Sequence, residues 1–207
     1  LPAVMKHREA AIKALVERGC QVAQAPAPRD SLDAVEIASW LKKQDVDAVL
    51  LFFCTWAAEE ITLTLVRETL DLPLLLWSLP YLDRDIPMPS PMSGLTTSGS
   101  NIRRLGKNFV YVIGQPAPAR LERILKALRS AAIARSLRRA RFGLIGYPCP
   151  GMLDVGIDES ELQKNLGAVT VHLDLDVLLR TAQVADPEQA LSAAAMLSAR
   201  AGGMDLS

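Results

Sequence analysis

Four residues, Phe53-Cys54-Thr55-Trp56, set a thiol, a hydroxyl and an indole directly after an apolar run, and Glu59-Glu60 follows three residues later. Each admits two readings. A cysteine at a strand end facing a helix start is a candidate nucleophile with a lowered pKa, or a buried, inert side chain. Trp56 offers a large flat apolar face suited to stacking on a sugar ring, or it is a packing residue. Glu59 and Glu60 are candidate acid–base groups, or first-turn acids that complement the helix dipole. A second polar cluster, Thr96-Thr-Ser-Gly-Ser-Asn101, carries Ser98, Ser100 and Asn101, whose hydroxyl and amide groups suit an anion or the hydroxyls of a sugar; it also reads as a plain capping loop. No Lys-Ser/Thr follows Gly99 and there is no G-x-G-x-x-G, so neither a P-loop nor a dinucleotide fingerprint is present. Asp154 and Asp158, in the stretch 146–158, are candidates of the same kind. His7 and His172 have no acid or cysteine at ligand spacing, which gives no metal motif.

The elements that must position these residues alternate. Val46 to Phe53 is apolar except for Asp47, as in a strand covered on both faces. Leu74 to Ser78 reads the same way. Amphipathic helices are expected over Met5 to Arg18, closed by Gly19, and over Leu32 to Lys43, capped by Asp30 or Ser31 with Ala34, Ile37, Ala38 and Leu41 facing inward. A third is expected over Ala57 to Leu70. Strands are expected near 20–25, 46–53, 73–78, 108–113, 141–145 and 168–173, the first four forming one parallel sheet with 46–53 in its interior. Pro80, Pro87, Pro89 and Pro91 exclude regular structure over 79–94. The fold class is α/β: two doubly wound, Rossmann-like or flavodoxin-like units with mainly parallel sheets. The first spans 1–116, a long helix over 117–140 connects, and 141–207 starts the second, where Asp158 caps a helix stopped by Gly167. Because parallel strands end on one side, Trp56, the 96–101 stretch and the Pro-rich segment are expected to meet at the carboxyl edge of the first sheet.

A chain of 207 residues with half of them apolar is ample for a packed core. The formal net charge is zero, and the densest basic stretch, Arg135 to Arg141, ends a helix, where cations suit the dipole; nucleic acid is not an expected partner. Three cysteines make no disulfide framework and point to a cytoplasmic setting. No apolar run has the length of a membrane span.

Several of these stretches together resemble the N-terminal part of the L-fucose isomerase and L-arabinose isomerase-like family. They are the strand ending Phe53-Cys-Thr-Trp56, the strand Pro73 to Ser78, Ser93-Gly-Leu-Thr-Thr-Ser-Gly-Ser100 with Ile102-Arg-Arg-Leu-Gly106, Val110 to Gly114, and Phe142-Gly-Leu-Ile-Gly146 with Gly151-Met152 and Asp158. The resemblance implies an aldose–ketose isomerase that uses a divalent metal, typically Mn²⁺, to orient two sugar oxygens while carboxylates move the proton. It implies homo-oligomers and a sugar pocket completed by a neighbouring subunit. The family's metal-binding Glu, Asp and His match nothing in this chain. The expectation is a piece of a longer isomerase, without catalytic residues of its own, that binds sugar through Trp56, Ser98, Ser100 and Asn101 and contributes to oligomer contacts. Two other readings stand beside it. Cys54 and Cys149 imitate the paired strand-end cysteines of aspartate/glutamate racemase-like enzymes, although their contexts, Cys-Thr-Trp and Cys-Pro-Gly, differ from the expected ones. A non-enzymatic sugar-binding module is the other.

Overall fold

A computed structural model describes residues 2–80, 90–152 and 155–200. The chain divides into two compact units, 1–135 and 136–207.

The first unit contains α1 (Pro2–Val16), α2 (Ser31–Lys43), β1 (Val49–Phe53), α3 (Glu59–Glu68), β2 (Leu74–Ser78), α4 (Pro91–Arg104), β3 (Phe109–Ile113) and most of α5 (Pro118–Arg138). The three strands form a parallel sheet in the order β1-β2-β3, in register from Val49↔Leu74 to Phe53↔Ser78 and from Leu74↔Phe109 to Ser78↔Ile113. The strand period of two sorts the apolar residues into two cores. Val49, Phe53, Leu74 and Leu76 face one side, where α2, α3 and α4 bring Ala34, Ile37, Ala38, Leu41, Leu65, Val66, Leu95 and Ile102. Leu75, Trp77 and Val112 face the other, against Ala11 and Leu15 of α1 and Leu121 and Ile124 of α5. The result is a three-layer α/β/α unit. The inward residues expected of α2 are the four that are buried, and the Asp30 carboxylate accepts from the Asp33 N–H as its cap.

Three expectations are corrected. Residues 20–25 are not a strand: Pro26 and Pro28 follow closely, and the stretch crosses the second core with Cys20 and Val22 half-buried rather than joining a ladder, so the sheet has three strands instead of four. The 46–53 stretch is not interior; β1 lies at the edge and β2 is central. An apolar run reports that helices cover both faces of a strand, and α2–α3 on one side with α1 on the other do cover β1, but it does not report how many strands pair with it. The stretch 96–101 is not a polar loop ahead of a helix. It lies inside α4, which begins at Pro91 and buries Pro91, Gly94, Leu95, Ser98, Gly99 and Ile102 on one face. Ser, Thr and Gly are poor helix formers, and packing overrides that preference here. Residues 81–89 of the Pro-rich segment lie outside the described residues.

The second unit contains β4 (Arg141–Ile145), α6 (Glu159–Leu166), β5 (Val169–Leu173), α7 (Leu175–Val184) and α8 (Pro187–Arg200). β4 and β5 are parallel, from Arg141↔Val169 to Ile145↔Leu173. Asp158 caps α6 by accepting from the Glu161 N–H, and Gly167 ends it at φ +74°, where any side chain would be strained. Among the described residues of this unit, Ala168 alone is a buried hydrophobic; Phe142, Ile145, Leu175, Leu179, Leu191 and Leu197 are all exposed.

Candidate functional site at the carboxyl edge of the first sheet

In an open parallel sheet the crevice beyond the strand carboxyl ends is the default binding site. The turn after β1 carries Cys54, Thr55 and Trp56; Leu79 follows β2; Gly114 and Gln115 follow β3. Here the start of α1 crosses the same edge. Val4 and Phe52 pack on Leu79, and His7 Nδ1 lies 3.4 Å from the side-chain amide of Gln115.

Trp56 is 39 % exposed, whereas Trp77 is buried and donates its indole N–H to the Gly114 carbonyl at 2.8 Å. Trp56 therefore has a free face at the edge and Trp77 is structural. Gly94, in the first turn of α4, makes the Trp56 turn possible: a Cβ there would stand 3.2 Å from Ala57 N and 3.2 Å from a Phe53 ring carbon. Cys54 is buried, and its pKa is pushed up to about 11 by that burial, which outweighs the favourable charge of Arg8. A thiol held protonated in this way is a packing residue rather than a nucleophile.

The other residues expected at this edge lie elsewhere. Ser98 is fully buried between α3 and α4, its Oγ 2.9 Å from Thr62 Oγ1, which itself donates to the Glu59 carbonyl at 2.9 Å. Asn101 donates through Nδ2 to the Glu59 carboxylate and to the Thr97 carbonyl. Ser100 is exposed on α4. At a helical rise of about 1.5 Å per residue, Asn101 sits roughly 10 Å along α4 from Gly94. The structure thus brings Ser98, Asn101, Thr62 and Glu59 into one seam between helices and leaves Trp56 at the edge. Glu59 is held by that seam, while Glu60 is exposed.

Sequence reasoning passed over the cations of the edge. Arg8 Nη2 donates to the Ala25 carbonyl at 3.0 Å. Arg120, at the start of α5, donates through Nε to the Ile113 carbonyl at 2.9 Å and through Nη1 to the Gln115 carbonyl at 3.3 Å. Gly114 leaves room for it: at φ +123° its missing Cβ would fall 2.4 Å from Arg120 Nε. A Gly-Gln immediately after a strand, with an arginine in the following first turn, was the available signal. Among the described residues neither arginine pairs with an acid.

An open concavity of about 720 Å³ lies against α5 and the far end of α1, lined in part by Arg18, Glu122, Lys126 and Arg129. It sits away from the strand carboxyl ends. The second unit has polar pairs at the carboxyl side of its own sheet, Tyr147 Oη on Asp174 at 3.0 Å and His172 Nε2 on Glu159 at 2.7 Å. Among the described residues no three His, Cys, Asp or Glu side chains come together to hold a metal ion. The described residues thus offer no ligand set for the manganese centre that the family resemblance implies, and no step is routed through one. No helix among them is long and apolar enough to cross a membrane.

Fold and edge define the class: an α/β protein with parallel sheets whose first unit offers an aromatic face at the strand ends. No family model matches the chain. It is similar to the sulfoquinovose isomerase of Priestia aryabhattai and to that of Priestia megaterium (strain ATCC 12872 / QMB1551), each 27% identical over 138 residues, which is 65% of this chain and 30% of the relative. The chain is a distant relative of a sugar isomerase, and the matched part spans under a third of the relatives' length. The likeness singles out neither the L-fucose nor the L-arabinose enzymes.

Proposed function

We propose that this chain is the sugar-recognising α/β part of an aldose–ketose isomerase, and that it works within a larger oligomeric assembly. The observation that carries the reading is the 138-residue likeness to sulfoquinovose isomerases, a likeness to sugar enzymes that meets an exposed indole at the strand ends. Trp56 provides the stacking face for the sugar ring. Ser98 and Asn101 support it indirectly, by fixing α3 to α4 beneath the Trp56 turn, and Ser100 remains an exposed hydroxyl on α4. The metal, Mn²⁺ by resemblance, is supplied with its ligands from outside this chain. Bound there, it would polarise the sugar oxygens during proton transfer. The exposed apolar residues of the second unit support an origin in a longer protein, because a parallel sheet is ordinarily covered on both faces.

The racemase-like reading loses its chemistry, since it needs thiolates and Cys54 is buried with a raised pKa. The test of the favoured reading is an NMR assay of ketose formation by the purified 207-residue chain with Mn²⁺ and, in turn, sulfoquinovose, glucose, L-fucose and L-arabinose. The expected result is no turnover, with sugar-dependent quenching of Trp56 fluorescence that Trp56→Phe changes. Turnover that a chelator abolishes would overturn the division of labour. Absence of any sugar response at Trp56 would overturn the assignment of the edge.

A further inference from the structure

Resting on the reading of this chain as part of a longer polypeptide, we infer that the outer edge of β1 is a docking slot for one further strand, parallel to β1, and that its occupant is the polypeptide leading into α1. Half of the backbone groups of β1 serve β2. The Val49 N–H donates to the Pro73 carbonyl at 2.9 Å and the Leu79 N–H to the Phe53 carbonyl at 3.2 Å, so the odd-numbered residues of β1 pair with β2. Alternate residues of a parallel strand turn the other way, which points the N–H and C=O groups of Leu50 and Phe52 outward. Among the described residues no strand pairs with them. Pro80 and Ser90 both stand at the carboxyl edge, where Gly94 of α4 lies against Phe53 and Ala57. The nine residues joining them, at about 3.4 Å each, are too few to cross β1, run down its outer side and return. Leu50, Leu51 and Phe52 are only half-buried although helices cover both faces of β1, whereas every residue of the twice-paired β2 is buried. An apolar edge of this kind is a template for another strand.

Topology gives the slot its direction and its occupant. Helix α1 begins at the carboxyl edge, where Val4 and Phe52 pack on Leu79. The stretch 20–25 then runs back along it: the Cys20 N–H donates to the Leu15 carbonyl at 3.1 Å, and the Ala25 carbonyl accepts from Arg8, near the start of α1. Residues 20–25 therefore point the same way as the three strands. Helices α2, α3 and α4 pack on one face, and α3 and α4 carry the chain from β1 to β2 to β3. Crossovers between parallel strands are right-handed, so α2, on that same face, brings the chain to β1 from its outer side, where 20–25 lie. Helix α1 packs on the opposite face and must carry the chain the other way, out to 20–25 from a strand nearer β1. The place between β1 and 20–25 meets that requirement, and an ordinary connection of about 2–6 residues reaches the first turn of α1 from it. The faces of the connecting helices change at this slot, which makes it the topological switch point where open α/β sheets bind ligands. A docked strand would end opposite the Trp56 turn and convert that rim into a crevice.

The experiment follows amide exchange and nuclear Overhauser contacts by NMR in the 207-residue chain and in the same chain extended at its N-terminus. The extension is a probe strand of five alternating valines and isoleucines, the length of β1, joined by a short glycine linker. A control extension carries proline at alternate positions, which cannot complete a ladder. In the 207-residue chain the Leu50 and Phe52 amides should exchange roughly tenfold or more faster than those of Leu51 and Phe53, which face β2. The probe strand should slow Leu50 and Phe52 by a similar factor and raise the urea midpoint, and the proline control should do neither. Overhauser contacts should run from the probe to Leu50 and Phe52 on one flank and to residues 22–24 on the other. Slow exchange of Leu50 and Phe52 in the unextended chain would overturn the slot, and slowing that grows with protein concentration would give the edge to a second copy of the chain instead. Probe contacts at the outer side of β3, or a probe that leaves both amides fast, would overturn it as well. Amide spectra that retain the dispersion of the parent show that the extended chains keep the fold. No sugar and no longer isomerase takes part, so failure of the slot leaves the isomerase reading to its own tests.

Discussion

Cys54 illustrates how burial decides what a chemically suggestive residue does. Its position at a strand end is where a nucleophile would stand, yet the side chain faces the core and its thiol pKa is pushed up to about 11 by desolvation. The linkage sign follows from the unfolded chain, where a thiol titrates near 8.5. Between that value and 11 the unfolded state loses a proton that the folded state keeps, so the unfolded state binds fewer protons and stability falls as pH rises. The contribution of the neutral thiol is fully present below about pH 8.5 and is lost on the way to pH 11. Urea midpoints measured at pH 7.5, 9 and 10 should therefore fall more steeply for the parent chain than for Cys54→Ala, the difference between the two curves isolating this group from other titrations. Parallel curves would contradict the burial argument. Iodoacetamide at pH 8 should modify the exposed Cys149 well before Cys54.

The seam between α3 and α4 is the element-scale feature on which the Trp56 turn depends. Thr62 donates to the Glu59 carbonyl, which leaves Ser98 as the donor to Thr62 inside a buried contact. The two partners are thus unequal. Ser98→Ala removes one hydrogen bond and should cost about 1 kcal/mol, whereas Thr62→Val strands a buried hydroxyl and should cost roughly 1–3 kcal/mol. The double variant should be no less stable than Thr62→Val alone, a non-additivity that denaturant midpoints measure directly; equal single effects that simply add would refute the direction assigned to this bond. Neither the seam nor the part of α4 from Pro91 to Asn101 was legible in the sequence, which marks a helix only around Arg104. The helix period is present at Pro91, Gly94, Leu95, Ser98, Gly99 and Ile102, but it is written in small residues whose local preference is for turns and caps. Gly99 is small because the Phe109 ring lies 3.1 Å from where its Cβ would be, a fact about β3 and not about the neighbours of Gly99 in the chain. Where the pattern was written in large apolar residues, as in α2, the buried face was legible residue by residue. The polar contacts of the edge were hidden for a related reason: His7, Gln115 and Arg120 meet only through the fold, more than a hundred residues apart in the case of His7 and Gln115.

At the scale of the whole molecule the two units differ in how they satisfy their strands. In unit 1 the central strand β2 is buried along its whole length, paired on both sides and covered by helices on both faces. In unit 2 a pair of parallel strands carries Phe142, Ile145, Val169 and Leu173 with 40 % or more of their surface open, and neither α7 nor α8 buries a single residue. Hydrophobic burial is the main favourable term in folding, at about 25 cal/mol per Å², and helices of this length have little stability apart from packing. The two units should therefore unfold separately, unit 2 through low-energy openings and unit 1 through its global transition. Native-state hydrogen exchange on the 207-residue chain tests this. Amides of β2 should exchange at least roughly a hundredfold more slowly than those of α7 and α8, a difference of about 3 kcal/mol or more in opening free energy. Those of β4 and β5 should fall between, since their ladder is paired on one side only. The same comparison made on a longer isomerase that contains this sequence should show α7 and α8 protected, because only then would Leu175, Leu179, Leu191 and Leu197 have something to pack against. If α7 and α8 of the 207-residue chain were already protected to the level of β2, their apolar faces would be covered without any further polypeptide, and the proposal that this chain works as part of a larger isomerase would lose its structural support.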